Sequence, residues 1–420
     1  IERQLGTGAN VPPAPWPATV SGRRTPACWF RSRLAPTRFV GCCPVKSAHA
    51  QPHPSPPPPA VSDGTIPFNR PTLAGRELEH MRAAVERGHT SADGPFSRAV
   101  AELLEAETGA AEVLLTTSCT AALEMTAMLL DVGPGDSVVV PSFGFVTTAL
   151  AYARQGARVL FCDIEAATLG LDPTHLATLM DETVRAVVPI HYGGIACDLD
   201  AIREVVAAWP RAELVEDNAH GLFAAYRDRP LGSFGRFATL SFHETKNFSM
   251  GEGGCLILTD AGYQLPAEML REKGTDRSRF FRGEVDKYNW QTMGSSYLPS
   301  EINAACLCAQ LDIAHKITAR RLQIWRAYHD GLFDLQAEGF LRQQGSVGAG
   351  HAALHQVAFA GFAHFARGAG VARQRPGHQP QRAAGVVGRG RQRAGQAAVV
   401  AAEGDDPAAA FAAAAGRTGA

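Results

Sequence analysis

The sequence has no apolar run long enough to cross a bilayer as a helix. No compact apolar stretch near Ile1 leads into a small-residue cleavage site, so no secretory leader is expected. An excess of one charge is missing as well: 40 Lys and Arg against 41 Asp and Glu leave a formal net charge of -1. Nucleic acids and anionic membrane surfaces recruit a basic excess, so neither is an expected partner. No G-x-G-x-x-G follows the first strand-like run, which argues against a dinucleotide-binding dehydrogenase. The nine cysteines are irregularly spaced. Cys306 and Cys308 are separated by one residue, unlike a usual zinc pair, and Cys42 and Cys43 are adjacent. The expectation is reduced thiols in a cytoplasmic protein, without a metal.

Both ends lack the patterning of a packed domain. Pro12, Pro13, Pro15 and Pro17 open the first stretch, and Pro56 to Pro59 nearly close it. Chain this rich in proline neither pairs into a sheet nor continues a helix. Residues 1–64 therefore read as a disordered extension or as an overextended gene start. The second reading is favoured, because Val61 fits a GTG start codon and globular patterning begins near Ile66. Residues 341–420 contain no Lys, Ile, Tyr, Asn, Met, Trp or Cys, and are dominated by Ala, Gly, Arg and Gln. They carry no strand-like alternation and resemble GC-rich DNA read out of frame; a genuine low-complexity tail is the other reading.

What is present lies between. With 45% hydrophobic residues in 420, the chain can bury a large core in one big domain and a smaller one. Leu78 to Arg87 and Thr120 to Leu130 have helical spacing. Strands are predicted at Val113 to Leu115, Ser137 to Val140, Arg158 to Cys162, Ala186 to Ile190 and Glu213 to Val215. Helix-length segments such as Ala149 to Gln155 and Leu199 to Ala208 separate them. Strands alternating with helices mean an α/β sheet covered on both faces. Phe237 to Phe242 and Gly254 to Thr259 suggest an antiparallel edge or a tight return, and Pro299 to Leu335 reads as long helices leaving the sheet domain.

Four segments carry possible chemistry. In Ser241-Phe242-His243-Glu244-Thr245-Lys246-Asn247 a lysine follows a buried strand, where open α/β sheets place ligands. A neutral lysine amine in a desolvated site can form a Schiff base with an aldehyde; a lysine in a loop can also simply be solvated. In Leu214-Val215-Glu216-Asp217-Asn218-Ala219-His220 a carboxylate ends an apolar strand. Asp217 reads as a helix cap, or as the group that keeps a pyridine nitrogen protonated. Thr116-Thr117-Ser118-Cys119-Thr120 joins a strand to a helix, as simple capping or as a phosphate site. Pro141-Ser142-Phe143-Gly144-Phe145 offers an aromatic for a planar ring, or for the core.

Together these segments resemble the pyridoxal-phosphate (PLP) dependent nucleotide-sugar aminotransferases, a branch of the fold type I, aspartate-aminotransferase-like α/β proteins. Further matching stretches are Ile66-Pro67-Phe68-Asn69, Arg271-Glu272-Lys273-Gly274-Thr275, Phe280-Phe281-Arg282-Gly283, Val285-Asp286-Lys287-Tyr288 and Gly294-Ser295-Ser296-Tyr297-Leu298. The resemblance implies a cofactor-binding large domain over 65–297 with a mixed, mostly parallel sheet. It implies the helical start of a small domain over 298–340, with the rest of that domain lost to a frameshift at 341–420.

It also implies roles. Lys246 binds PLP and shuttles a proton, Asp217 pairs with the pyridine nitrogen, and His220 sits near the phenolic oxygen. Cys119 and Thr120, helped by Ser241, contact the phosphate, and Phe145 stacks on the ring. Ser296 reaches the phosphate of a partner subunit in a homodimer, and His191 and Tyr192 approach the sugar. The branch most resembled makes dTDP-4-amino-4,6-dideoxygalactose for enterobacterial common antigen, moving an amino group from L-glutamate to C4 of a dTDP-4-keto-6-deoxy sugar. Another keto-sugar nucleotide, or a truncated relative that only binds cofactor, are the alternatives. A dehydratase relative with histidine in place of the lysine is disfavoured by Lys246 itself.

Overall fold

Short apolar runs bounded by turn residues become strands, and the longer amphipathic runs between them become helices. The computed structural model describes Asn69, Pro71, Leu73 and residues 75–333. The expectations for 1–64 and 341–420 lie outside these residues. Helices α1 (Glu77–Glu86) and α2 (Pro95–Thr108) precede β1 (Glu112–Thr116). There follow α3 (Cys119–Leu129), β2 (Ser137–Pro141), α4 (Thr147–Ala153), β3 (Arg158–Cys162), α5 (Pro173–Leu179) and β4 (Val184–Val187). Next come α6 (Leu199–Ala207), β5 (Glu213–Asp217), a small hairpin of β6 (Ala225–Tyr226) and β7 (Arg229–Pro230), then β8 (Phe237–Ser241) and β9 (Gly254–Leu258). The described chain closes with α7 (Gln264–Arg271), α8 (Arg277–Phe281), α9 (Glu301–Leu311) and α10 (Ala314–Gly331).

The main sheet has seven strands in the order β1-β9-β8-β5-β4-β2-β3. Strands β3, β2, β4, β5 and β8 pair in parallel, while β9 is antiparallel to both β8 and β1. This is the mixed, mostly parallel sheet that the resemblance implies. Strand β9 is not an edge: β1 returns to pair along its whole length, so the edges are β1 and β3. Side chains alternate between faces. Val113 and Leu115 join one core cluster with Phe96, Leu104, Phe242 and Ile257, whereas Leu114 joins another with Leu123, Met125, Val138 and Tyr152. A third cluster, around Leu176, Val187, Ile202 and Leu214, closes the β3–β5 side.

Helix α9 does not leave the sheet domain as expected. Ala304, Ala305, Leu307, Cys308 and Leu311 bury it in the same cluster as α1 and α2. Its anchor is Glu301. The N-cap residue of α2 is Gly94, which offers no side-chain acceptor for the free amides of the first turn. Glu301 supplies it, accepting from Gly94 N (3.1 Å), Phe96 N (2.5 Å), Ser97 N (3.2 Å) and Ser97 Oγ (2.5 Å). Helix α10 does depart: of its residues only Ala314 and Ile317 are buried. No described helix is long and apolar enough to cross a membrane.

At the start of β1, Glu112 lies near α7. Burial, and next the neighbouring Glu268, push its carboxyl up to about 7. Among the described residues, Glu112 Oε2 and Glu268 Oε2 both lack a hydrogen-bond partner. A raised carboxyl pKa favours the folded state while the proton is on, and that contribution is lost as pH rises through about 7. Glu112→Gln is therefore expected to raise the thermal midpoint at pH ~8, by about 1 kcal/mol in stability, with little change near pH ~4.5. A variant less stable than the wild type at the higher pH would show instead that the ionised carboxylate is stabilising.

Because β1 runs parallel to β8, the loops after β1, β2, β4, β5 and β8 all emerge at one end of the sheet. Ligands of open α/β sheets bind at that end.

Candidate active site

Strand β5 delivers two adjacent carboxylates with different surroundings, because side chains alternate along a strand. Glu216 is fully buried and accepts from Gly232 N (2.8 Å), Phe234 N (2.6 Å), Gly235 N (2.8 Å) and His191 Nε2 (3.0 Å). Burial alone would raise its pKa; these bonds, led by that from His191, hold it below the usual carboxylate value. Asp217 is buried with fewer donors: Thr148 Oγ1 to Oδ2 (2.5 Å) and Ala219 N to Oδ1 (3.2 Å). Burial therefore wins, and its pKa is raised.

Beyond β8 the chain turns back through Glu244 N to Gly251 O (2.9 Å) and Met250 N to Phe242 O (2.9 Å), presenting Lys246. Lys246 Nζ lies 2.7 Å from His220 Nε2. Burial pulls the lysine pKa down, against the pull of Cys119 and Asp217. Burial, and next Lys246, push His220 down to about 3. On the far side of the ring, Gly193 N–H donates to His220 Nδ1 (3.2 Å). Gly193 has φ 65°, a left-handed geometry that glycine adopts without strain.

The loop after β1 ends at Ser118, which caps α3 by accepting from Ala121 N (3.0 Å). The expected capping role thus falls to Ser118. The first-turn amides of Cys119 and Thr120 have no partner among the described residues, so they are free for an anion. A Cβ on Gly254 would come within 2.4 Å of Cys119 N, so the loop lies directly on β9 only because that residue is glycine. Cys119 Sγ donates to Thr239 Oγ1 (3.3 Å), and burial pushes its thiol pKa well up.

These features fit pyridoxal phosphate. A buried lysine amine whose pKa is lowered by desolvation, a buried carboxylate short of donors and an anion-binding helix terminus match its aldehyde, its ring nitrogen and its phosphate.

The structure brings Lys246, His220 and Asp217 together, with the Tyr192 ring edge-on to His220 at 5.4 Å. Ser241 ends β8, half-buried, accepting from His243 N at 3.5 Å. Three expected residues lie elsewhere. His191 is 0% exposed, with Nε2 on Glu216 and Nδ1 accepting from Cys197 N (3.3 Å), so it presents nothing to a sugar. Phe145 is 63% exposed and packs on no ring among the described residues; Phe143 is the aromatic held at the site, 4.6 Å from Tyr192. Ser296 is exposed and bridged to Glu272, and the role implied for it belongs to a second subunit. Sequence reasoning missed Thr148, Thr239 and Gly193. Thr148 had a faint signal, a hydroxyl one helical step after the aromatic loop; the other two had none.

A type I large domain with this constellation defines a PLP-dependent aminotransferase. The chain belongs to the DegT/DnrJ/EryC1/StrS aminotransferase family, whose model matches residues 71–364. The aminotransferase TlmJ from Streptoalloteichus hindustanus is 30% identical, with a TM-score of 0.63 over 69% of this chain and 77% of that one. A Streptococcus pneumoniae protein described as a sugar aminotransferase is similar in two states. Its PLP form is 26% identical, with a TM-score of 0.59 over 64% of this chain and 71% of that one. Its PMP form is 28% identical, with a TM-score of 0.59 over 64% and 70%.

Proposed function

We propose that this aminotransferase transfers an amino group from L-glutamate to the keto carbon of a nucleotide-linked sugar, releasing 2-oxoglutarate. The observation that carries the reading is Lys246 Nζ at 2.7 Å from His220 Nε2, with the buried Asp217 carboxylate nearby. PLP, when bound, supplies the electron sink for the chemistry. Lys246 holds the cofactor and carries the proton that must move between carbons. Asp217, set by Thr148 and Ala219, keeps the ring nitrogen protonated. The α3 amides of Cys119 and Thr120, with Ser241, receive the phosphate. Tyr192 faces the incoming sugar, and Phe143, held against Tyr192, lines the site. Ser296 completes the site of a partner subunit in a homodimer.

Within this reading, dTDP-4-keto-6-deoxyglucose, aminated at C4 to dTDP-4-amino-4,6-dideoxygalactose, is the first substrate to test, because stretches such as Phe280-Phe281-Arg282-Gly283 and Gly294-Ser295-Ser296-Tyr297-Leu298 resemble that branch. Protein supplied with PLP and L-glutamate is offered a panel of keto-sugar nucleotides that includes this one. Amino-sugar nucleotide and 2-oxoglutarate are expected in equal amounts, and NMR of the product fixes the carbon. Turnover of keto acids alone, with no keto-sugar accepted, would overturn the proposal.

A further inference from the structure

Glu216 and His191 are both fully buried beside the site, where His191 Nε2 lies 3.0 Å from Glu216 Oε2. Their geometry gives them a different task. The His191 ring spans from Glu216 on β5 to the amide of Cys197, and so ties together both ends of the turn 191–197. Cys197 Sγ donates to Ile190 O (3.3 Å), and Gly194 N to His191 O (3.0 Å), closing the same turn. The amide this turn directs outward is Gly193 N–H, which meets His220 Nδ1.

We propose that the His191–Glu216 pair is a positioning device that locks the tautomer of His220, so that His220 Nε2–H donates to an uncharged Lys246 amine. A neutral imidazole carries one proton. Nδ1 accepts from Gly193, so the proton is on Nε2. Nε2 and Nζ are 2.7 Å apart, and the ring has no second lone pair to offer an ammonium. The bond therefore runs from Nε2–H to the lone pair of Nζ, and Lys246 waits as a neutral nucleophile. Asp217 and Cys119 act electrostatically on the same amine, both favouring its charged form, and the His220 proton opposes them. Gly193 carries the turn onward with φ 65°, a left-handed geometry that glycine adopts without strain, while its amide meets His220.

The proposal rests on Lys246 being the cofactor-holding amine. Borohydride reduction in the presence of PLP, followed by peptide mapping, tests that assignment separately. The tautomer is read in cofactor-free protein carrying ¹⁵N-histidine, with the His220 ring signals assigned by their loss in His220→Gln. The expected result is an unprotonated Nδ1 and a protonated Nε2, unchanged from about pH 6 to about pH 9. Labelling of Lys246 by an amine reagent, followed by peptide mass, is expected to reach half its maximum well below the ordinary lysine value of about 10.4. His191→Asn is expected to give a mixture of His220 tautomers and to slow Lys246 labelling about tenfold at neutral pH, one unit in the amine's pKa, with an unchanged circular dichroism spectrum. If that variant does not fold, Glu216→Gln is read the same way. If neither folds, the wild-type tautomer and labelling profile still decide. A wild-type His220 protonated on Nδ1, or on both nitrogens, overturns the proposal. So does a folded His191→Asn protein with the tautomer and labelling rate intact.

Discussion

Lys246→Ala is expected to give a folded protein that develops no visible cofactor band with PLP and transfers amino groups on the order of 10⁴-fold more slowly, or not at all. Lys246 is the amine brought to His220 and Asp217 at the ligand end of the sheet. Its desolvation keeps the lone pair available. Little stability should be lost, since the side chain anchors no strand and, among the described residues, its one hydrogen bond is to His220. Absorbance with PLP, before and after adding L-glutamate, gives the answer directly. In the wild type the band should appear and then bleach. A mutant that keeps a glutamate-sensitive band would move the cofactor to another lysine.

Asp217→Asn should separate binding from turnover. The cofactor band remains because Lys246 is untouched, but an amide cannot hold a proton on the ring nitrogen. The rate is expected to fall about 10²–10³-fold, the loss typical of removing one preorganised electrostatic partner. Stability should move the other way. Burial raises the Asp217 pKa, so the charge is a burden on the cofactor-free fold. The asparagine variant should melt at or above the wild-type temperature near neutral pH. Calorimetry of the cofactor-free proteins, alongside single-turnover kinetics, checks both halves. Equal rates would remove Asp217 from the chemistry, whatever its burial.

The sheet was legible in the sequence because its strands are short apolar runs with turn residues at both ends. Arg158 to Cys162 became β3 unchanged, and most other strands moved by a residue or two. Strand β4 was placed too late, at Ala186 to Ile190, and ends instead at Val187. Pro189 has no N–H to donate, so the ladder is interrupted there and resumes only as an isolated parallel bridge between Ile190 and Asp217. Asp217 and Lys246 stood out because a charged residue directly after a buried strand has few bland explanations. Their partners did not: which threonine donates to Asp217 is set by how α4 packs, and no periodicity carries that. His191 misled for the same reason. A polar residue after a strand looks like a site until the fold shows both ring nitrogens already engaged. The likeness to nucleotide-sugar aminotransferases located the family but not the sugar, since the residues shared along these segments are those that serve the cofactor.

The bond network of Glu301 also has a consequence for how the chain can fold as it is made. The acceptor for the first turn of α2 lies 207 residues downstream of Gly94. An emerging polypeptide can form α2 early, but its open amides and the apolar side chains of Phe96 and Leu104 stay uncovered until α9 has left the ribosome. The shortest chain able to complete this core therefore ends after Ile317, and fragments that stop at β9 would present a bare sheet face to the cell's chaperones and proteases.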